Sequence, residues 1–475
     1  MSIFSEEKRI IYVRKIKGFW DEYRRNRIGI SGLALLAFFV IIAVFGPYIA
    51  PYPATRPPIV ASKFVMPEWM SIFPQYEDLP RTMELSVSKM ETVQTSPLVQ
   101  VFYGENITLS YKGKTLGDVG VVQLTLNFTY PYKSPNEFKF SLSYTAENIS
   151  KTIYNFKVTL IDANGAEWEL LDRTNTMNVT FGRLTISSTS ASFRRKIAAN
   201  MTVNPAKVLF ANKGNYSLSL GITFQPISEN AQGTITIKDG TLTIYGSLHG
   251  VLGTDFFGHD VLSKILYGAQ MSIIVGILTA ALSTSLAVVF GTIAGYFGGM
   301  VDEVIMRIVD VILCVPLFVI LLVLSHNYEL NIYIIMFLLS FFWWPGPSRT
   351  IRSKILSLKE SAFIESAKAA GGTKFYIIRR HLIPNILPLA MAALVLFVPA
   401  GILMEASLSF LGFGDPNVLT WGRTLSDARA TGAFSALAWW YVVPPGLAIT
   451  FLCLSFVFVG HALDSIVNPR LRRRK

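Results

Sequence analysis

The sequence predicts an α-helical membrane protein of six transmembrane helices, interrupted by an extracellular, sandwich-like all-β domain. Three observations predict it. The 475-residue chain is 51% hydrophobic and only 16% charged, against about 25% charged in an ordinary soluble protein, and its mean hydropathy is +0.43. Six apolar runs, at 28–50, 271–297, 304–325, 331–347, 386–412 and 440–463, reach or approach the roughly 20 residues that a helical span needs. Between the first two runs, residues alternate apolar and polar with the period of half-buried strands.

The expected division is a cytoplasmic amphipathic segment at 1–27, a first span at 28–50, a β-rich insert at 51–250, and a five-helix core at 251–475 carrying a cytoplasmic loop at 349–385. The first run exceeds the roughly 7–15 apolar residues of a cleaved signal and reads as an anchor. Charge sets orientation. Residues 1–28 hold eight Lys/Arg against four acids, 349–385 eight against two, and 464–475 five against one. Together they exceed the chain's net +12, while 51–262 is balanced at 18 basic against 17 acidic residues. Basic flanks stay in the cytoplasm, so both termini and the 349–385 loop are expected inside, in a multi-pass plasma-membrane protein. With its basic charge split among three sites beside the membrane, the chain is expected to meet lipid and no nucleic acid.

Prolines at 47, 51, 53, 57 and 58 end the first helix. In the insert, Leu124, Leu126, Phe128 and Tyr130 alternate with polar residues, as do Phe138, Phe140, Leu142 and Tyr144, and Tyr216, Leu218, Leu220, Ile222 and Phe224. Such short amphipathic strands suggest a sandwich, and Thr234–Tyr245 reads as a hairpin turning at Asp239-Gly240. Six Asn-x-Ser/Thr sequons, at Asn106, Asn127, Asn148, Asn178, Asn200 and Asn215, all fall in the insert. They are candidate glycosylation sites, and their clustering agrees with an external, glycoprotein-like domain.

Residues 264–269 read as a short amphipathic lead into the second span. That span carries Ala287, Gly291 and Gly295 at spacing four, a small-residue face for close helix packing. Arg307 and Asp310 in the third run are three apart and are expected to pair on one face. Glu405, near the outer end of the fifth run, reads either as an intramembrane functional carboxylate or as a hydrated interfacial one.

No catalytic constellation appears. Gly113-Lys114-Thr115 resembles the end of a phosphate-binding loop, but position 108 is Thr where glycine is required. Ser86-x-x-Lys89 lacks its companion motifs. Cys314 and Cys453 lie in apolar runs, the histidines show no metal-ligand spacing, and no cofactor or metal site is expected in the chain itself.

The 349–385 loop is different. Ser361–Ala370 suits a helix with small residues for docking, Gly371-Gly372 breaks it, and Phe375, Ile377 and Ile378 begin a second short helix that Pro384 interrupts before the fifth span. Physically this is either a helix–turn–helix seated in a groove of a soluble partner or an amphipathic loop lying on lipid headgroups.

Glu365 and Ala367, Gly371 four residues on and Pro384 beyond resemble the coupling motif of ABC importer permeases, with Ser366 where alanine is common. Arg380–Asn385, Phe19-Trp20 through Asn26-Arg27, Gly253-Thr254-Asp255-x-x-Gly258-x-Asp260, Glu405–Gly414 with Trp421-Gly422, and Asn468–Arg472 are similar to the C-type subunit of dipeptide/oligopeptide permeases. His259 stands where that family usually has Arg. The resemblance covers about 1–53 and 250–475 and leaves out the insert. It implies an ABC type I importer permease fold, pairing with a second related permease as a heterodimer, two cytoplasmic ATPases that bind ATP and Mg, and an external solute-binding protein. Glu365, Ser366, Ala367, Gly371 and Gly372 are then the ATPase-coupling residues, in a subunit that is itself no enzyme. The implied cargo is peptide, with oligosaccharide or another small solute the alternative; the remote alternative is a membrane-anchored surface or adhesion protein, for which one span would suffice.

Overall fold

The computed structural model describes residues 17–18, 20–175, 181–197 and 203–467. The basic lead 1–16, Phe19, Asn178, Asn200 and the terminal Asn468–Arg472 lie outside the described residues. The chain divides into two compact units, Pro58–Asp260 and a second made of Met1–Pro57 with Val261–Lys475. The β unit therefore extends about ten residues past the expected boundary at 250 and takes in the Gly253–Asp260 motif.

The β unit is a sandwich of two antiparallel sheets. One sheet runs β3 (Val99–Tyr103), β4 (Ile107–Lys112), β11 (Gln232–Tyr245), β6 (Glu137–Ser150), β9 (Phe181–Ser187), with β1 (Met83–Ser86) also on β11. The other runs β2 (Glu91–Thr95), β5 (Gly120–Tyr130), β10 (Gly214–Pro226), β7 (Thr152–Ile161), β8 (Glu167–Asn175). The alternating residues meet as expected: Leu124, Tyr130, Phe140, Tyr144, Leu220 and Phe224 join one core, all at most 1% exposed. The period-two pattern works because successive side chains of a strand point to opposite faces.

The expected hairpin at Asp239-Gly240 is not formed. β11 runs straight through it, with a register shift between Ile237 and Asp239 where it pairs with β6. Val87 fills the place where a residue-240 side chain would stand: a Cβ there would come within 2.5 Å of Val87 Cγ2. The glycine serves a bulge and a packed neighbour, not a turn.

The other unit is helical. Its helices are α1 (Arg27–Ile49), α2 (Val261–Phe297), α3 (Gly299–Leu313), α4 (Leu317–Asn327), α5 (Ile332–Trp343), α6 (Pro345–Lys359), α7 (Ala362–Ala369), α8 (Lys374–Ile377), α9 (Ile383–Phe410), α10 (Trp421–Ala430) and α11 (Trp439–Val467). Among the described residues four helices are long and apolar enough to cross a membrane: α1, α2, α8 continued through α9, and α11. A fifth span results if α3 and α4, bent by 69° at their junction, count as one. The helical membrane class holds, but among the described residues the expected count of six spans is not reached by length and composition. The third breaks at Pro316, which caps α4 and cannot continue a helix ladder. The fourth, α5, has 12 residues, about 18 Å at 1.5 Å per residue, against a hydrocarbon core of about 30 Å. Conversely, the expected lead at 264–269 is simply the first turns of α2, a 37-residue helix.

Candidate functional site: the Ala362–Leu382 hairpin

The loop singled out by charge and glycine folds as a helix–turn–helix. α7 ends on Ala370; Gly371 follows with φ +80°, the left-handed conformation that glycine adopts without steric cost. Gly371 N–H donates to the Lys368 carbonyl (2.9 Å) and Gly372 N–H to the Ala367 carbonyl (3.0 Å). These are the two bonds of a Schellman cap. Thr373 then caps α8, its hydroxyl accepting from Tyr376 N–H at 3.3 Å. A π turn at Ile378–Leu382 leads directly into α9. Pro384 does not interrupt this helix as expected. It sits in the first turn of α9, where a missing N–H costs little.

The inner face of the hairpin is anchored. Ile364, Ile377, Leu382 and Ile386 are at most 1% exposed and share a core with Ala287, Tyr296, Ile351 and Ile355. Burying each isoleucine contributes about 1.5–3 kcal/mol. The small-residue face of α2 makes this approach possible: a Cβ on Gly291 would fall 2.7 Å from the Ser348 carbonyl, and one on Gly295 2.9 Å from that of Arg352. Gly291 and Gly295 pack on α6, with Ala287 fully buried beside them. On another side, Asp302 of α3 accepts from Arg352 Nε at 2.5 Å and again from its Nη2. Asp310 pairs with Arg349, not with Arg307: those two α6 arginines face α3.

The outer face is open. Glu365, Ser366 and Gly371 are exposed and Ala367 and Gly372 are half-buried. A groove of about 640 Å³ is lined by Phe363, Ser366, Ala367, Gly371, Gly372, Tyr376 and His381, among others. Glu365 is not among the lining side chains. Sequence reasoning missed the aromatic rim: Phe363 is 44% and Tyr376 51% exposed at the groove, and Phe375, 71% exposed, stands outside its lining. The available signal was three aromatics in an otherwise basic loop. Such exposed apolar surface is characteristic of a docking site.

Glu405 is not a solvent-exposed carboxylate. It is 2% exposed and accepts from Ser409 Oγ (2.7 Å) and Thr420 Oγ1 (2.9 Å). Thr420 in turn caps α10 by accepting from Arg423 N–H, so the carboxyl group ties α9 to α10. Trp421 at the start of α10 is 1% exposed and donates from Nε1 to the Ile265 carbonyl of α2. Of the sequons, Asn127 and Asn215 are exposed on strands, Asn106 is half-buried between β3 and β4, and only the backbone of Asn148 is described. Among the described residues no group of His, Cys, Asp and Glu could hold a metal.

Known proteins are similar to this chain in sequence. Residues 287–473 match the model of the binding-protein-dependent transport system inner membrane component, and 16–63 the N-terminal transmembrane domain of oligopeptide transport permease C. A putative peptide transport system permease protein of Brucella suis is 32% identical over 47% of this chain and 75% of its own. A dipeptide transport system permease protein of Bacillus subtilis is 32% identical over 46% and 69%. An oligopeptide transport system permease protein of Haemophilus influenzae is 35% identical over 46% and 70%. A solved carbohydrate-binding module aligns with 35% of this chain at 11% identity and a TM-score of 0.19, which carries no argument. The matched segments and the relatives' identity over two thirds or more of their own length agree: the chain belongs to the inner membrane components of binding-protein-dependent ABC importers, in the C-type permease branch.

Proposed function

We propose that this chain is the permease subunit of an ATP-driven peptide importer and that the Ala362–Leu382 hairpin is the socket for its motor. The names of the relatives support peptide as cargo. The observation that carries the motor socket is the contrast between the hairpin's two faces. Its inner face is locked to α2, α6 and α9 by fully buried isoleucines, while its outer face exposes an aromatic-rimmed groove. A partner seated in that groove moves the hairpin, and the buried core passes the displacement to the spans as a rigid body. On this reading a related permease completes the pathway, two cytoplasmic ATPases binding ATP and Mg supply the energy, and an external binding protein delivers the solute. Both termini and the hairpin lie in the cytoplasm and the β unit lies outside, in keeping with the distribution of Lys and Arg. This chain performs no covalent chemistry.

The test is Glu365→Arg combined with Gly371→Trp. The expected outcome is loss of ATPase co-purification from a permease that still extracts and migrates as the wild type does. Retention of intact motor subunits by the double variant sinks the socket assignment.

A further inference from the structure

We infer that Asn127 and Asn215 are N-glycan acceptors forming one modified patch on the outer face of the β unit; this rests on the external placement of that unit proposed above. The two sequons, Asn127-Phe128-Thr129 and Asn215-Tyr216-Ser217, are 88 positions apart in sequence yet lie on the paired strands β5 and β10. Their register is reciprocal. Asn215 stands opposite Thr129, and Asn127 opposite Ser217, so each asparagine faces the hydroxyl residue of the other sequon. The middle residues Phe128 and Tyr216 point inward and stack at 5.7 Å. Period two therefore turns both asparagines outward, over a shallow hollow of about 420 Å³. Asn215 Oδ1 accepts from Thr129 Oγ1 at 2.8 Å; this bond uses the amide oxygen and not Nδ2, the nitrogen that takes sugar.

A second observation is independent of the motif. The outward positions of these two central strands carry no charged residue: Val121, Gln123, Thr125, Asn127 and Thr129 on β5, and asparagine, serine, glycine, threonine and glutamine on β10. Exposed faces normally rely on Lys, Arg, Asp and Glu for solubility; here such charge stands on the flanking strands, at Glu91 opposite Thr125 and Lys157 opposite Gly221, and not at the register partners of the two asparagines. A glycan on each asparagine covers this face. The step joins Asn Nδ2 to the anomeric carbon of a lipid-phosphate-linked oligosaccharide. The bond from that carbon to the phosphate oxygen breaks, the lipid phosphate leaves with the electron pair, and the amide proton passes to a base of the transferase.

The experiment is mass spectrometry of the full chain purified from the membranes of its own source, intact and after proteolysis. The expected result is a glycan on the peptides holding residues 127 and 215. Asn127→Gln and Asn215→Gln should each lower the intact mass by one glycan. Thr129→Ser should keep the modification at Asn127 and Thr129→Ala should remove it. An unmodified peptide over either asparagine overturns the inference, whether or not Asn106 or Asn148 carries sugar. Finding such a peptide in an uptake-competent complex leaves the permease reading standing.

Discussion

Gly371 and Gly372 divide the work of one turn in chemically different ways. At Gly371 a Cβ meets nothing within 4 Å, but φ is +80°. An alanine there is strained by its backbone alone, at about 1–2 kcal/mol. At Gly372 no left-handed φ is required, but a Cβ would fall 2.7 Å from the Ala367 carbonyl, the oxygen that accepts the capping bond. Gly372→Ala must therefore break the cap or shift α7. The expected order is that Gly371→Ala lowers the melting temperature of the detergent-purified chain slightly and Gly372→Ala lowers it more; the reverse order rejects the cap as the determinant. Gly371 was legible in the sequence, since a glycine pair after an alanine-rich segment signals a helix end. The burial of Glu405 was not, because Ser409 lies one turn along the same helix, whereas Thr420, its second hydroxyl partner, becomes its neighbour only when α10 folds back against α9.

At the scale of elements, the 112–120 connection shows how a turn is made pH-sensitive. Asp118 Oδ2 accepts from the backbone N–H of Thr115 (2.9 Å) and of Lys114 (2.6 Å). The Thr115 backbone bond, then that of Lys114, holds its carboxyl below the ordinary carboxylate range, because both bonds favour the charged form. A depressed folded value means that the stabilisation is complete above the unfolded value of about 3.9 and is lost as pH falls through the lower folded value. Hydrogen exchange at the Lys114 and Thr115 amides, corrected for intrinsic rate, should accelerate across that window. Asp118→Asn should make it nearly independent of pH; an unchanged profile in the variant rejects the role of Asp118. Helix α6 shows a different limit of sequence reading. Its arginines looked like positive-inside markers, yet Arg349 and Arg352 are engaged by Asp310 and Asp302 of α3. An (i, i+3) rule cannot find such partners across 39 and 50 positions.

At the scale of the whole molecule, each unit has its own apolar core, and the sandwich core draws on residues of Pro58–Asp260 alone. Removing 60–245 should therefore leave the helical unit assembled and still bound to its ATPases, since the hairpin is anchored on α2, α6 and α9. Loss of motor co-purification on deletion shows instead that the spans depend on the insert. Sequence by itself determined the helical membrane class, the all-β insert, the small-residue face of α2 and the glycine turn of the hairpin. These depend on local rules: apolar run length, side-chain periodicity and backbone freedom act over a few residues. Tertiary structure alone decided the straight course of β11 through Asp239-Gly240, the burial of Glu405, the ion pairs of α3 with α6, and the facing of the Asn127 and Asn215 sequons. Each depends on which distant residue arrives beside it, and that is set by packing and strand register, which no local pattern encodes.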